Sequence, residues 1–123
     1  MGTVLVADDD PDVRQLVAFK LRQAGHEVID VGDGPSAIAA ASERPIDLAV
    51  LDVTMPGLSG LEVCAALRAD ARTAAVPVIL LSARAHEGDA QRGLQAGAAA
   101  YVTKPFSPRE LVDRVESLLN GAR

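Results

Sequence analysis

Leu48-Ala49-Val50-Leu51 runs without a polar interruption and ends in Asp52, after which Thr54-Met55-Pro56-Gly57 signals a turn. Four apolar residues are too few for a helix and suit a strand covered on both faces. Strands of that kind belong to parallel sheets with helices packed on either side. The stretch also sets a carboxylate at the carboxyl end of a buried strand, where open α/β sheets hold their ligand sites.

The rest of the chain repeats the theme. Residues 4–7 form a short apolar run that stops at Asp8-Asp9-Asp10-Pro11. Val13, Leu16, Val17, Leu21 and Ala24 then recur at helical spacing, with Asp10 as N-cap, Pro11 at the first helical position and Gly25 as the stop. Residues 27–31 alternate apolar and polar, which predicts a partly exposed edge strand. Asp33-Gly34-Pro35 opens an alanine-rich second helix that Pro45 ends. A third helix starts at Ser59, with Glu62 completing a capping box. A fourth strand is expected over 76–81, ending at Ser82, with Pro77 near its start. A helix poor in large residues is expected over 86–96, then a fifth strand over 98–102 leading to Lys104-Pro105. Ser107, Pro108 and Glu110 open a last helix, whose stripe is Leu111, Val112, Val115, Leu118 and Leu119.

Five strands alternating with five helices predict a doubly wound α/β sandwich of three layers, flavodoxin-like, with parallel strand order 2-1-3-4-5. Right-handed crossovers bring every strand's carboxyl end to one rim. Asp8, Asp9, Asp52, Ser82 and Lys104 then share that rim. Asp10 is explained as a cap, but adjacent Asp8 and Asp9 repel each other and need a proton or cation to offset them. Three acids form a hard oxygen donor set that suits Mg2+. With Mg2+ and the Lys104 ammonium present, the rim tolerates an incoming phosphoryl group, and a carboxylate such as Asp52 serves as nucleophile. Neither His26 nor His86 is needed there, and both are expected to be exposed.

A chain of 123 residues suffices for one domain with its own core. A net charge of −5 argues against direct nucleic-acid binding. No apolar run approaches the roughly 20 residues of a membrane span, and no leader or tail anchor is visible, so a cytoplasmic location is expected. The lone Cys64 reads as a small buried helix residue.

Along its whole length the chain resembles the receiver domain of two-component response regulators. The carriers are Val4-Leu5-Val6-Ala7-Asp8-Asp9-Asp10, Leu51-Asp52-Val53-Thr54-Met55-Pro56-Gly57 with Gly60, Leu81-Ser82-Ala83 and Lys104-Pro105-Phe106. The resemblance implies a single receiver domain over 1–123 with no output domain following. It implies a phosphoacceptor that is no enzyme beyond its own phosphorylation and slow dephosphorylation. A sensor histidine kinase or phosphotransfer protein would supply the phosphoryl group to Asp52. Mg2+ would be held by Asp9, Asp52 and the backbone carbonyl of Thr54, with Asp8 often acting through water. Ser82 and Lys104 would contact the phosphoryl group, Ala83 would leave room for it, and the Lys104–Pro105 bond would be cis. Serine stands at 82, where threonine is commoner. Ser82 and Tyr101 would switch a surface made of the 86–96 helix, the fifth strand and the last helix, toward an output domain, a partner or a second copy.

Two other classes fit parts of the pattern. A haloacid-dehalogenase-type phosphatase has a second Asp two residues after its nucleophile, where this chain has Thr54. A flavodoxin-like cofactor binder has a Ser/Thr/Gly-rich phosphate loop after the first strand, where this chain has three acids. A receiver fold used for docking alone is a third reading, against which the acid, hydroxyl and lysine set argues.

Overall fold

The computed structural model describes residues 2–83 and 95–121. Strands β1 (Thr3–Ala7), β2 (Glu27–Val31), β3 (Leu48–Asp52), β4 (Val78–Ser82) and β5 (Ala100–Thr103) pair in parallel throughout. Their order is β2-β1-β3-β4-β5. Four helices are described: α1 (Pro11–Gln23), α2 (Gly34–Glu43), α3 (Gly60–Ala69) and α4 (Pro108–Gly121). The helix expected over 86–96 falls almost wholly outside the described residues, as does His86. No described helix is long and apolar enough to cross a membrane.

Alternation along each strand divides the core into two layers. Leu5, Ala7, Ala49, Leu51, Val78 and Leu80 face α2 and α3, meeting Ala37, Ala41, Val63, Cys64 and Leu67. Val4, Val6, Leu48, Val50, Ile79 and Leu81 face the other way, onto Val17 and Leu21 of α1 and Leu111 and Val115 of α4. This is the doubly wound, flavodoxin-like sandwich the sequence predicts. The central strands β3 and β4 are buried along their whole length, whereas β2 has only exposed and half-buried positions, as an edge strand should.

The helix starts follow their capping residues. Asp10 accepts from the Asp12 and Val13 amides, and Asp33 accepts from Ser36 N. Ser59 and Glu62 form the reciprocal capping box, and Ser107 Oγ accepts from Glu110 N. Gly25, at φ 98°, supplies the left-handed residue that turns α1 toward β2.

That same turn corrects the expectation for His26, which is buried rather than exposed. Its backbone N–H donates to Leu21 O, which folds the residue back under α1. Its Nδ1 accepts from Gly2 N at 3.3 Å, and its Nε2 lies 4.0 Å from a Glu116 carboxylate oxygen on α4. Two strand boundaries also move. β4 starts at Val78 rather than at 76, and β5 starts at Ala100 rather than at 98. Gly97 turns the chain at φ 98°, and the next two residues return it to the sheet, where Ala99 N donates to Val78 O.

Candidate functional site

β1 lies between β2 and β3, and the connections that follow β1 and β3 run toward opposite edges of the sheet, so a crevice opens at their carboxyl ends. The backbone ladder continues past the strand ends there. Asp8 N donates to Val31 O, Val53 N to Leu81 O at 2.8 Å, and Lys104 N to Ser82 O at 2.7 Å. These bonds fix the first residues beyond β1, β3 and β5, so the acids and the lysine stand on rigid backbone rather than on loose loops.

Asp8 is the hub of the site. It is fully buried, its Oδ1 accepts from Asp10 N at 2.9 Å, and its Oδ2 accepts from Lys104 Nζ at 3.0 Å. Lys104 Nζ also lies 3.3 Å from Asp52 Oδ2. Asp52 is buried, and Thr54 N donates to its Oδ1 at 3.3 Å. One carboxylate oxygen from each of Asp8, Asp9 and Asp52 can be chosen so that all three lie within 4.8 Å of one another, with Asp9 exposed.

The structure thus brings Asp8, Asp9, Asp52 and Lys104 together. Thr54 is exposed in the turn after β3, and Ser82 is buried as the last residue of β4. Tyr101 is half-buried on β5, in register with Leu80, and packs against the core layer of α2 and α3. The Lys104–Pro105 peptide bond is cis.

Burial, then the Asp8 charge, pushes the Asp52 carboxyl up to about 7, against the pull of Lys104 and the Thr54 N–H. Desolvation disfavours the Lys104 ammonium. Its hydrogen bond to Asp8 and the charges of Asp52 and Asp8 outweigh that, and its pKa is raised.

A carboxyl whose folded pKa exceeds its unfolded value binds more protons in the native state, so stability falls as pH rises between the two values. For Asp52 that window runs from 3.8 to about 7. Thermal midpoints of the metal-free chain should therefore decline across it, and Asp52→Asn should flatten the decline. A parent chain with no decline beyond that of the Asp52→Asn chain would contradict the geometry.

One rim residue escaped the sequence reading. Arg14 of α1 donates from Nη1 to the backbone carbonyl of Asp8 at 2.9 Å, while its Nε lies 3.6 Å from Asp30 of β2. The only sequence signal is a basic residue in the helix that directly follows the acids.

The three carboxylates and the ammonium fit a hard divalent cation and an anionic group beside it. They do not fit a bare phosphate, which three acids would repel.

Comparison with known proteins identifies the family. The family described as "Response regulator receiver domain" matches residues 4–116. The sensory transduction protein RegX3 of Mycolicibacterium smegmatis is 44% identical over 119 residues, covering 97% of this chain and 51% of that protein. The phosphate regulon transcriptional regulatory protein PhoB of Pseudomonas aeruginosa is 40% identical, over 95% of this chain and 51% of that protein. The chain therefore spans about half the length of these curated relatives. Among solved structures, the receiver domain of the Francisella response regulator 1452 superposes with a TM-score of 0.93 at 34% identity, covering 100% of both chains. The chemotaxis response regulator CheY4 of Vibrio cholerae gives 0.91 at 32% identity, over 96% of this chain and 98% of that one. With its motifs, its strand order and its acidic rim all in agreement, the chain belongs to the receiver-domain family of two-component response regulators.

Proposed function

We propose that Asp52 accepts a phosphoryl group from the phosphohistidine of a sensor kinase or phosphotransfer protein, in a Mg2+-dependent reaction. The observation that carries this reading is the convergence of Asp8, Asp9 and Asp52 with Lys104 on the crevice beside β1. Asp8, Asp9, Asp52 and the Thr54 carbonyl would hold the ion, which supplies charge neutralisation to the acids and the incoming group.

A carboxylate oxygen of Asp52 attacks phosphorus as the phosphorus–nitrogen bond of the donor breaks, and its electron pair leaves with the imidazole. Lys104 moves from pairing with the acids to pairing with phosphoryl oxygens, and the Ser82 hydroxyl donates to another. Positioning and charge do most of the work in such transfers. The chain acts as one receiver unit in the cytoplasm, and its product is a signal rather than a released metabolite.

Incubation with acetyl phosphate and Mg2+ should add one phosphoryl mass, labile to hydroxylamine, and chelation should prevent the addition. Uptake that proceeds equally under chelation would refute the Mg2+ dependence.

The acids repel one another in the metal-free rim, so a cation that binds only the native state adds RT ln(1 + [L]/Kd) to stability. Millimolar Mg2+ should raise the thermal midpoint of the parent, and Asp9→Ala should remove that rise. Equal responses in the two chains would defeat the assignment of Asp9.

The phosphorylated form should act through a surface that includes β5 and α4, presented to an output domain, a partner protein or a second copy. Ser82 stands in register with Thr103, two residues from Tyr101, so a Ser82 drawn toward the phosphoryl group changes the packing beside that ring. Amide shifts on phosphorylation should extend through β5 and along α4. Perturbations that stop at Asp52, Ser82 and Lys104 would exclude this surface.

A further inference from the structure

The peptide joining Asp8 to Asp9 is pinned from an unexpected direction. Its carbonyl oxygen accepts from Arg14 Nη1 at 2.9 Å, while the preceding amide of Asp8 is held by Val31 O at 3.1 Å. Arg14 is itself held, since its Nε lies 3.6 Å from Asp30 and its side chain is only 22% exposed. Gly32 completes the seat: a Cβ there would stand 2.9 Å from Arg14 Nη1. Any larger residue at 32 would press on the guanidinium that holds the Asp8 carbonyl.

We propose that Arg14 is a positioning residue for the divalent-cation site, fixing the plane of the Asp8–Asp9 peptide and so the direction in which both carboxylates project. The proposal rests on the Mg2+-dependent reading above. Asp8 has other restraints on its side chain, through Asp10 N and Lys104 Nζ. Exposed Asp9 depends more on its backbone. A peptide free to rock would let the Asp9 carboxylate swing into water and leave the acids without a common focus. Groups that orient metal ligands from behind commonly change affinity by about tenfold or more when removed.

Arg22 provides an internal control. It is on the same helix and pairs with the same Asp30, at 3.3 Å, but its other contact is Val28 O. Removing either arginine costs an ion pair to Asp30. Only Arg14 touches Asp8.

The test is calorimetric titration of the full chain with Mg2+ alone, alongside metal-free thermal midpoints, for the parent, Arg14→Met, Arg14→Lys and Arg22→Met. Arg14→Met is expected to weaken Mg2+ binding about tenfold. Arg14→Lys, which keeps the charge and some reach, should recover part of the loss, and Arg22→Met should bind as the parent does. A merely structural role would lower the metal-free midpoints of both methionine variants and leave Mg2+ affinity alone. Parental affinity in Arg14→Met, or an equal loss in Arg22→Met, overturns the positioning role while leaving the phosphoacceptor reading intact. A parent chain that binds no Mg2+ overturns both.

Discussion

Asp52→Asn should reduce phosphoryl uptake from acetyl phosphate to background while making the metal-free protein more stable. Asparagine has the same shape and still offers an oxygen to Thr54 N, so the turn after β3 keeps its hydrogen bond. It lacks the nucleophilic oxyanion, so no acyl phosphate forms at this position. The stability gain has a separate cause. With its pKa pushed up to about 7 by burial and by Asp8, the Asp52 carboxylate is held ionised above neutral pH at a cost to the fold. Each pKa unit corresponds to about 1.4 kcal/mol, so relieving that charge should stabilise the metal-free chain by a few kcal/mol above pH 7. The difference should fade as pH falls toward the ordinary carboxylate range, where both chains are neutral at residue 52. Uptake and stability thus move in opposite directions. A variant that loses uptake by unfolding would lose both, and urea midpoints measured beside the uptake assay separate the two outcomes.

Gly60→Ala should carry a large stability loss. Gly60 N donates to Val53 O at 2.9 Å, which seats the first turn of α3 directly on the end of β3. An added Cβ would stand 2.3 Å from the Asp52 carbonyl oxygen and 2.9 Å from its carbon. Both are backbone atoms of the central strand and have no rotamer by which to yield. Overpacking of this kind costs about 1–3 kcal/mol where side chains can adjust, and rigid neighbours put this site at the upper end or beyond. The strain falls on Asp52 itself, so phosphoryl uptake should drop with stability. Gly121→Ala is the matched control, because a Cβ there meets nothing within 4 Å. Equal urea midpoints for the two variants would show that α3 can retreat from β3 without cost.

The rim was legible because of where the apolar runs stop. Leu51 to Asp52 and Ala7 to Asp8 pass from a buried strand to a charged group, Val102 to Lys104 does so from a half-buried one, and a parallel sheet gathers those passages at one end. The caps Asp10, Asp33 and Ser59 were legible for a similar reason, since each satisfies its helix with neighbours in sequence. His26 and Arg14 were not. The His26 ring, once turned under α1, is met by Gly2 and lies near Glu116, both far from it in sequence. The reach of Arg14 to the Asp8 carbonyl is set by the angle at which α1 docks, which periodicity does not specify. The early start assigned to β5 failed because apolar composition does not reveal how many residues a turn such as Gly97 needs to rejoin the sheet.

The assignment of Asp52 is tested most directly by reducing the phosphorylated chain with borohydride and sequencing its peptides by mass spectrometry. An aspartyl-phosphate is converted to homoserine, which marks the acceptor residue itself. The arrangement of the rim predicts homoserine at position 52 and aspartate retained at positions 8 and 9. Homoserine at 8 or 9, or a phosphorylated chain that yields no homoserine at 52, would contradict it.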